Sequence, residues 1–247
     1  MKKLLLATAA VFALAAGSAS AADLARPVYK AAPAPVAYSW TGWYWGVNVG
    51  YSWGRERNDW TLVNVGTASE SQKMDGVIGG FQSGFNWQTG IWVIGMESDF
   101  QATGQKGSTT YGIPGLNVTA EHKLPWLGTA RSRIGVLPTQ NVLLYATAGV
   151  AYGQVKSSYT LNAPGPVAAF NFKDTRAGWT AGVGVEGAFG GGWSAKLEYL
   201  YVDLGKNTSN FTAGGTVISS IDSRVTDNIV RVGLNYKWGG APVVAKY

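Results

Sequence analysis

The stretch Trp193-Ser194-Ala195-Lys196-Leu197-Glu198-Tyr199-Leu200-Tyr201 decides the fold. Trp193, Ala195, Leu197, Tyr199 and Tyr201 fall on one face, and Ser194, Lys196 and Glu198 on the other. A period of two places successive side chains on opposite faces of a β-strand. The same alternation recurs in seven other stretches: Trp43 to Trp53, about Gly76 to Trp87, Ile91 to Phe100, about Lys123 to Val136, Asn141 to Gln154, Arg176 to Phe189 and Asp227 to Trp238. A soluble sandwich with its apolar faces inward would show this pattern too. The residues between the stretches favour the inverse arrangement, a barrel that is apolar towards lipid and polar inside.

Those intervening gaps alternate in length. Gly54–Asp75, Gln101–His122, Val155–Thr175 and Leu204–Thr226 are long, whereas Gln88-Thr89-Gly90, Leu137-Pro138-Thr139-Gln140 and Gly190-Gly191-Gly192 are short. Outer-membrane barrels have short periplasmic turns and long extracellular loops. Four long and three short connections fit eight antiparallel strands with both termini in the periplasm. The expected fold is therefore all-β, an eight-stranded antiparallel up-and-down transmembrane β-barrel. The strands also reach the ~9–11 residues that a tilted strand needs to cross a bilayer.

The start of the chain reads as an address. Met1-Lys2-Lys3 is basic, Leu4 to Ala16 is uncharged and apolar, and Ala19-Ser20-Ala21 has the small-x-small pattern of a signal-peptidase site. Residues 1–21 are expected to be a signal peptide, and 22–40 an Ala/Pro-rich periplasmic tether with Pro27, Pro33 and Pro35. The barrel is expected over 41–238, followed by a C-terminal extension over 239–247. Arg231 to Trp238, on the last strand, carries a polar residue, then glycine, then Tyr236 and Trp238 two apart. Barrel-assembly machinery reads a final strand of this kind by strand pairing, although here the chain continues beyond it.

Composition narrows the function. The chain has no cysteine, which excludes disulfides and thiolate metal sites, but 11 Trp, 12 Tyr and 34 Gly. Trp43, Trp53, Trp87, Trp92, Trp126, Trp179, Trp193 and Trp238 are placed to form aromatic girdles at the two membrane interfaces. The formal charge of +6 is not clustered and accompanies no nucleic-acid motif, so it fits anionic lipid headgroups better than nucleic acid. Inside, Glu97, Asp99, Glu186 and Glu198 are expected to face Arg131, Arg133, Lys196 and Arg231. Four acids and four bases in a narrow lumen either line an ion path or pair into a polar plug. The plug is favoured, because eight strands leave room for little beyond side chains.

The residues also carry a resemblance. Ala22-Asp23-Leu24 with Pro27, Tyr29 and Lys30, and Tyr38 to Tyr44 leading to Asn48-Val49-Gly50-Tyr51, are similar to the small porin-like outer-membrane proteins of alphaproteobacteria. So are Gly95-Met96-Glu97-Ser98-Asp99-Phe100, Thr129 to Gly135 and Gly233-Leu234-Asn235-Tyr236. That family comprises eight-stranded surface antigens related in shape to the OmpA transmembrane domain. The resemblance implies Sec-type export to the Gram-negative outer membrane and a role in envelope integrity. The expected partners are outer-membrane lipid and lipopolysaccharide, with the barrel-assembly machinery during insertion. Some members are described as pore-forming and some as haem-binding, and the family brings no catalytic residues.

Three functions follow as expectations: a structural envelope barrel, a small porin, or capture of haem or another ligand by the extracellular loops. Catalysis is not expected. His122, the sole histidine, sits beside Glu121 where a long loop meets a strand, and reads as an exposed polar residue rather than a general base. His122, Tyr111 and Tyr159 are the conceivable haem ligands, but tyrosine is abundant throughout and no cofactor is expected.

Overall fold

Alternation in this chain outlasts its apolar pattern. In the computed structural model, which describes residues 38–238 apart from 63–65, 114–115, 163–167 and 214–215, the strands are about twice as long as a bilayer requires. They are β1 Gly42–Leu62, β2 Gly66–Thr89, β3 Trp92–Ile113, β4 Leu116–Thr139, β5 Val142–Asn162, β6 Ala168–Gly190, β7 Trp193–Ala213 and β8 Thr216–Lys237. Each pairs antiparallel with its neighbours in sequence, and β1 pairs with β8 to close the barrel. The expected signal peptide, most of the tether and the C-terminal extension lie outside the described residues.

The long gaps between the alternating stretches are thus mostly strand, not loop. A strand of 21 residues runs about 70 Å. At a tilt of about 40° it rises about 50 Å, twice the ~25 Å apolar band of an outer-membrane barrel. Beyond the band the outer face meets water instead of lipid, so segments such as Ser69 to Lys73 lose the apolar half of the pattern while inward residues such as Gln72 stay buried. They stay extended because cross-strand pairing continues there, with Arg57 opposite Ser71 on one side and Arg224 on the other.

At the other end the connections tighten to the pairs Gly90-Ile91, Gln140-Asn141 and Gly191-Gly192. Gly90 and Gly191 take φ of 59° and 61°, the left-handed conformation that two-residue hairpins demand. Stepping once round the barrel across directly paired residues links Tyr44, Gly84, Glu97, Arg131, Gly149, Thr180, Val202 and Asp227, and returns to β1 at Gly54. The return point lies ten residues beyond the start. This stagger tilts the strands and keeps the lumen just wide enough for side chains to fill.

The outer face carries the expected aromatics in two rings. Trp43, Trp87, Trp92, Trp193 and Trp238 are exposed near the turn end, and Trp53 and Trp179 near the far edge of the apolar band. Trp126 lies with Trp53 and Trp179 but is half-buried, stacked on exposed Phe100 at 5.5 Å and edge-on to Tyr152 at 6.1 Å. Exposed aliphatics such as Val49, Ile94, Val183 and Leu197 fill the belt between the rings. Register shifts interrupt β3 between Ala102 and Gln105, β4 between Lys123 and Trp126, and β7 between Asp203 and Lys206. Pro125, which cannot donate to a ladder, occupies the second, and Gly205 with φ of 72° the third. Near this level β2 stops pairing with β3 and β6 with β7, so the barrel passes into two broad projecting ribbons, β7-β8-β1-β2 and β3-β4-β5-β6.

Candidate functional site: a layered barrel interior

The eight charged residues expected in the lumen do meet there, and all are buried. Arg131 is the hub. Its Nη2 donates to Glu97 Oε1 at 2.6 Å and to Asp99 Oδ2 at 2.8 Å, and its Nη1 donates to Glu198 Oε1 at 3.0 Å. Arg231 reaches the same acids from β8, with Nε donating to Glu198 Oε2 at 2.7 Å and Nη2 to Asp99 Oδ2 at 2.9 Å. Lys196 Nζ lies 2.7 Å from both carboxylate oxygens of Glu97. Arg133 donates to Glu186 Oε2 at 3.0 Å, and Glu186 also accepts from Ser194 and Asn235. Four acids meet four bases with no net charge, the condition under which buried ions are tolerated.

Sequence reasoning missed the two tyrosines that complete this network. The hydroxyl of Tyr44 donates to Glu97 at 2.8 Å, and that of Tyr145 to Glu198 at 3.0 Å. The Arg133 guanidinium sits 4.9 Å and 5.2 Å from the centres of their rings. Each ring fits because a glycine faces it. A Cβ on Gly84 would strike the Tyr44 ring, and one on Gly184 would come within 2.5 Å of Tyr145. Inward glycines on β2 and β6 are the available signal, since they leave space for a large partner across the strand pair.

On the ribbon side of the charges lies a layer the alternation did not reveal. Met74, Ile78, Leu124, Leu127, Ala151, Val155, Leu200, Val202, Leu204, Val225 and Ile229 form one buried apolar cluster, none above 2% exposed. The run Tyr199-Leu200-Tyr201-Val202, apolar on both faces of β7, is its trace in the sequence. At the turn end a second apolar cluster, Trp40, Val93, Leu143 and Tyr145, covers the charges from below. Trp40, expected in the tether, belongs instead to the barrel. Its Nε1 donates to the Gln140 carbonyl, its backbone N–H donates to Gln88, and 1% of it is exposed. An indole seated in an apolar mouth holds the chain there.

His122 is also displaced from expectation. It is buried inside the ribbon end, where Nδ1 lies 2.7 Å from Glu56 Oε2 and 3.0 Å from Ser157 Oγ, with Tyr159 edge-on at 5.8 Å. Ser223 donates to Glu56 Oε1 at 2.8 Å, and Arg176 donates to Ser223 Oγ at 3.1 Å. The bulge between Lys123 and Trp126 sets which way His122 points, a change of face that plain alternation does not register. Tyr159 is pushed up to about 12 by burial and by Glu56 and Glu70. The side chain of Tyr111 lies outside the described residues.

This cluster predicts an acid response. Burial pushes the Glu56 carboxyl up, but His122 and Ser223 outweigh it and hold the group below its usual 4.5. A carboxyl lowered by folding adds stability that is complete above that usual value and lost as pH falls through the lowered one. Glu70, shifted upward by burial, acts in the opposite sense. Hydrogen-exchange protection of the ribbon amides around 120–124, corrected for intrinsic rates, should therefore fall below about pH 4.5. In Glu56→Gln that fall should be absent. An identical pH profile in the variant would exclude Glu56 as its source.

A match to the family described as outer membrane protein beta-barrel domain spans residues 7–238. The chain belongs to that family. Among its relatives, the 31 kDa outer-membrane immunogenic protein of Brucella melitensis is 39% identical over 247 residues, covering 96% of this chain and all of the relative. The 22 kDa outer membrane protein of Rhizobium leguminosarum bv. viciae is 31% identical, covering 84% and 82% of the two chains. Among solved structures, the outer membrane protein OprG from Pseudomonas aeruginosa aligns over 80% of this chain and 97% of its own, with a TM-score of 0.47 and 11% identity. The protein is thus an outer-membrane β-barrel, as the resemblance implied. These relatives are named as outer-membrane proteins and not as enzymes.

Proposed function

We propose that this protein is a closed structural barrel of the outer membrane, with its turn end in the periplasm and two broad β-ribbons, tipped by four hairpins, presented at the cell surface. One observation carries this reading: three stacked layers fill the lumen. They are the Trp40 cluster, the charge network centred on Arg131, and the apolar cluster around Leu200 and Ile229. An ion crossing the barrel would have to break paired charges and then pass a layer of apolar side chains, interrupted by the buried Ser52–Gln105–Asp227 cluster, whose groups bond one another. The names of the Brucella relatives as immunogenic proteins fit a surface that presents ribbons to the outside. His122, enclosed with Glu56, offers no open position for an external ligand, so the reading assigns no ligand to it.

Conductance tests this directly. The purified protein in a planar bilayer should give no steady ion current at neutral pH. Large, stable single-channel steps from the unaltered protein would overturn the closed reading and establish a small porin in its place.

A further inference from the structure

Above the upper aromatic ring the register aligns four lysines. Lys106 stands directly opposite Lys123, Lys123 opposite Lys156, and Lys156 opposite Lys173, one from each of β3 to β6. All point away from the lumen: Lys106, Lys123 and Lys173 are exposed and Lys156 is half-buried. Phe100, Trp126, Tyr152 and Trp179 lie below them on the same four strands. Tyr152 to Lys156 is about 13 Å of strand, or about 10 Å of height once tilted. That places the row in the headgroup zone above the apolar belt.

Like charges directly opposite one another destabilise a sheet, and here three such pairs adjoin. Glu121 pairs with Lys123 at 2.7 Å. Among the described residues no carboxylate lies within ion-pair distance of Lys106, Lys156 or Lys173. Asp75, which faces Lys106 from β2, instead accepts the Tyr51 hydroxyl. The other side of the barrel shows the contrast. Lys206, Arg224 and Arg57 also stand opposite one another, but each has its own carboxylate, in Asp222 at 2.8 Å, Asp203, and Asp59 at 3.2 Å. The Lys206–Arg224–Arg57 row is neutralised internally, with only the neighbouring Arg55–Lys73 pair left without an ion-pair partner among the described residues. The longer row on β3 to β6 is left to be neutralised from outside.

We propose that Lys106, Lys123, Lys156 and Lys173 form a binding site for the phosphate groups of a phosphorylated glycolipid in the outer leaflet. Strands about 4.8 Å apart make the row about 14 Å long, enough to bridge neighbouring phosphates as a divalent cation would. Basic side chains at a membrane surface attract anionic headgroups, each by about fivefold in affinity. The acyl chains of the lipid then lie along the apolar belt below. The proposal rests on the reading above only for its orientation, with the ribbons at the cell surface.

The test titrates the folded, full-length protein in detergent with bisphosphorylated lipid A, in the presence of EDTA so that no metal ion bridges. The parent should bind it, and should bind dephosphorylated lipid A of the same acyl composition far more weakly. Lys106→Gln/Lys156→Gln/Lys173→Gln, with folding verified by its heat-dependent gel shift, should lose on the order of 100-fold in affinity. Arg57→Gln/Lys206→Gln, on the self-neutralised side, should lose only a few-fold. Equal binding of the two lipids, parent-like binding by the triple variant, or equal losses in both variants would overturn the site. Competition by millimolar inorganic phosphate as effective as the lipid would make it a small-anion site and overturn the lipid assignment. An impermeant thiol reagent should label Thr110→Cys on intact cells, and failure to do so while labelling Gln140→Cys would overturn the outer-leaflet placement. A steady current from the unaltered protein would remove the closed-barrel reading and leave the lipid titration untouched.

Discussion

Arg131→Ala will destabilise the folded barrel by about 3–5 kcal/mol, the cost of breaking a buried ion network from one side. Arg131 donates to Glu97, Asp99 and Glu198, so its loss leaves four acids facing three bases in a site closed above and below by apolar side chains. Arg231 and Lys196 already hold these acids, and the unpaired Nη1 of Arg231 does not restore the positive charge that is lost. Urea unfolding in lipid vesicles, followed by tryptophan fluorescence, would measure the loss. Arg131→Met combined with Glu198→Gln should recover much of it, because the pair removes one charge of each sign. The apolar layers on either side remain, so the single variant should still pass no steady current. A change below about 1 kcal/mol would show that the network does not hold the barrel together.

The second large effect lies on the opposite face of the same strands. Val183 is 58% exposed on the outer surface of β6, midway between the aromatic rings. Arginine there should cost about 2–4 kcal/mol, and at Trp43, in the ring near the turn end, about 0–1 kcal/mol. The difference arises because a guanidinium near an interface reaches water while one at mid-depth does not. Comparing folding free energies of Val183→Arg and Trp43→Arg in vesicles tests both the register and the depth of the belt. Equal costs would place Val183 outside the hydrocarbon.

Burial of the charges and exposure of the aliphatics are one fact seen from two sides. In β7, Lys196 and Glu198 go to the lumen because Leu197 and Tyr199 go to lipid, and each choice forces the other. The same period underlies the Arg131 and Arg133 pair on β4. The two residues lie two apart, both turn inward, and β3 answers with Glu97 and Asp99 at the same spacing.

The sequence by itself determined the strand count, the two faces of each strand within the apolar belt, the eight lumen charges and the aromatics that ring the barrel. All of these follow from a period of two, which is local: a residue's face is set by its neighbours along the chain. Only the tertiary structure decided what stands at the same height on different strands. The ten-residue stagger brings Lys196 from β7 to Glu97 on β3, stacks Leu200 and Ile229 with Ile78 and Leu127 into an apolar layer, and draws Trp40 into the turn-end mouth. The bulge on β4 turned His122 inward to Glu56, and cross-strand pairing kept the ribbons extended where hydropathy no longer alternates. Lys106, Lys123, Lys156 and Lys173 are scattered along the chain and become a row only through cross-strand register. Height around a closed barrel is a non-local property, fixed when the last strand meets the first, and no single strand encodes it.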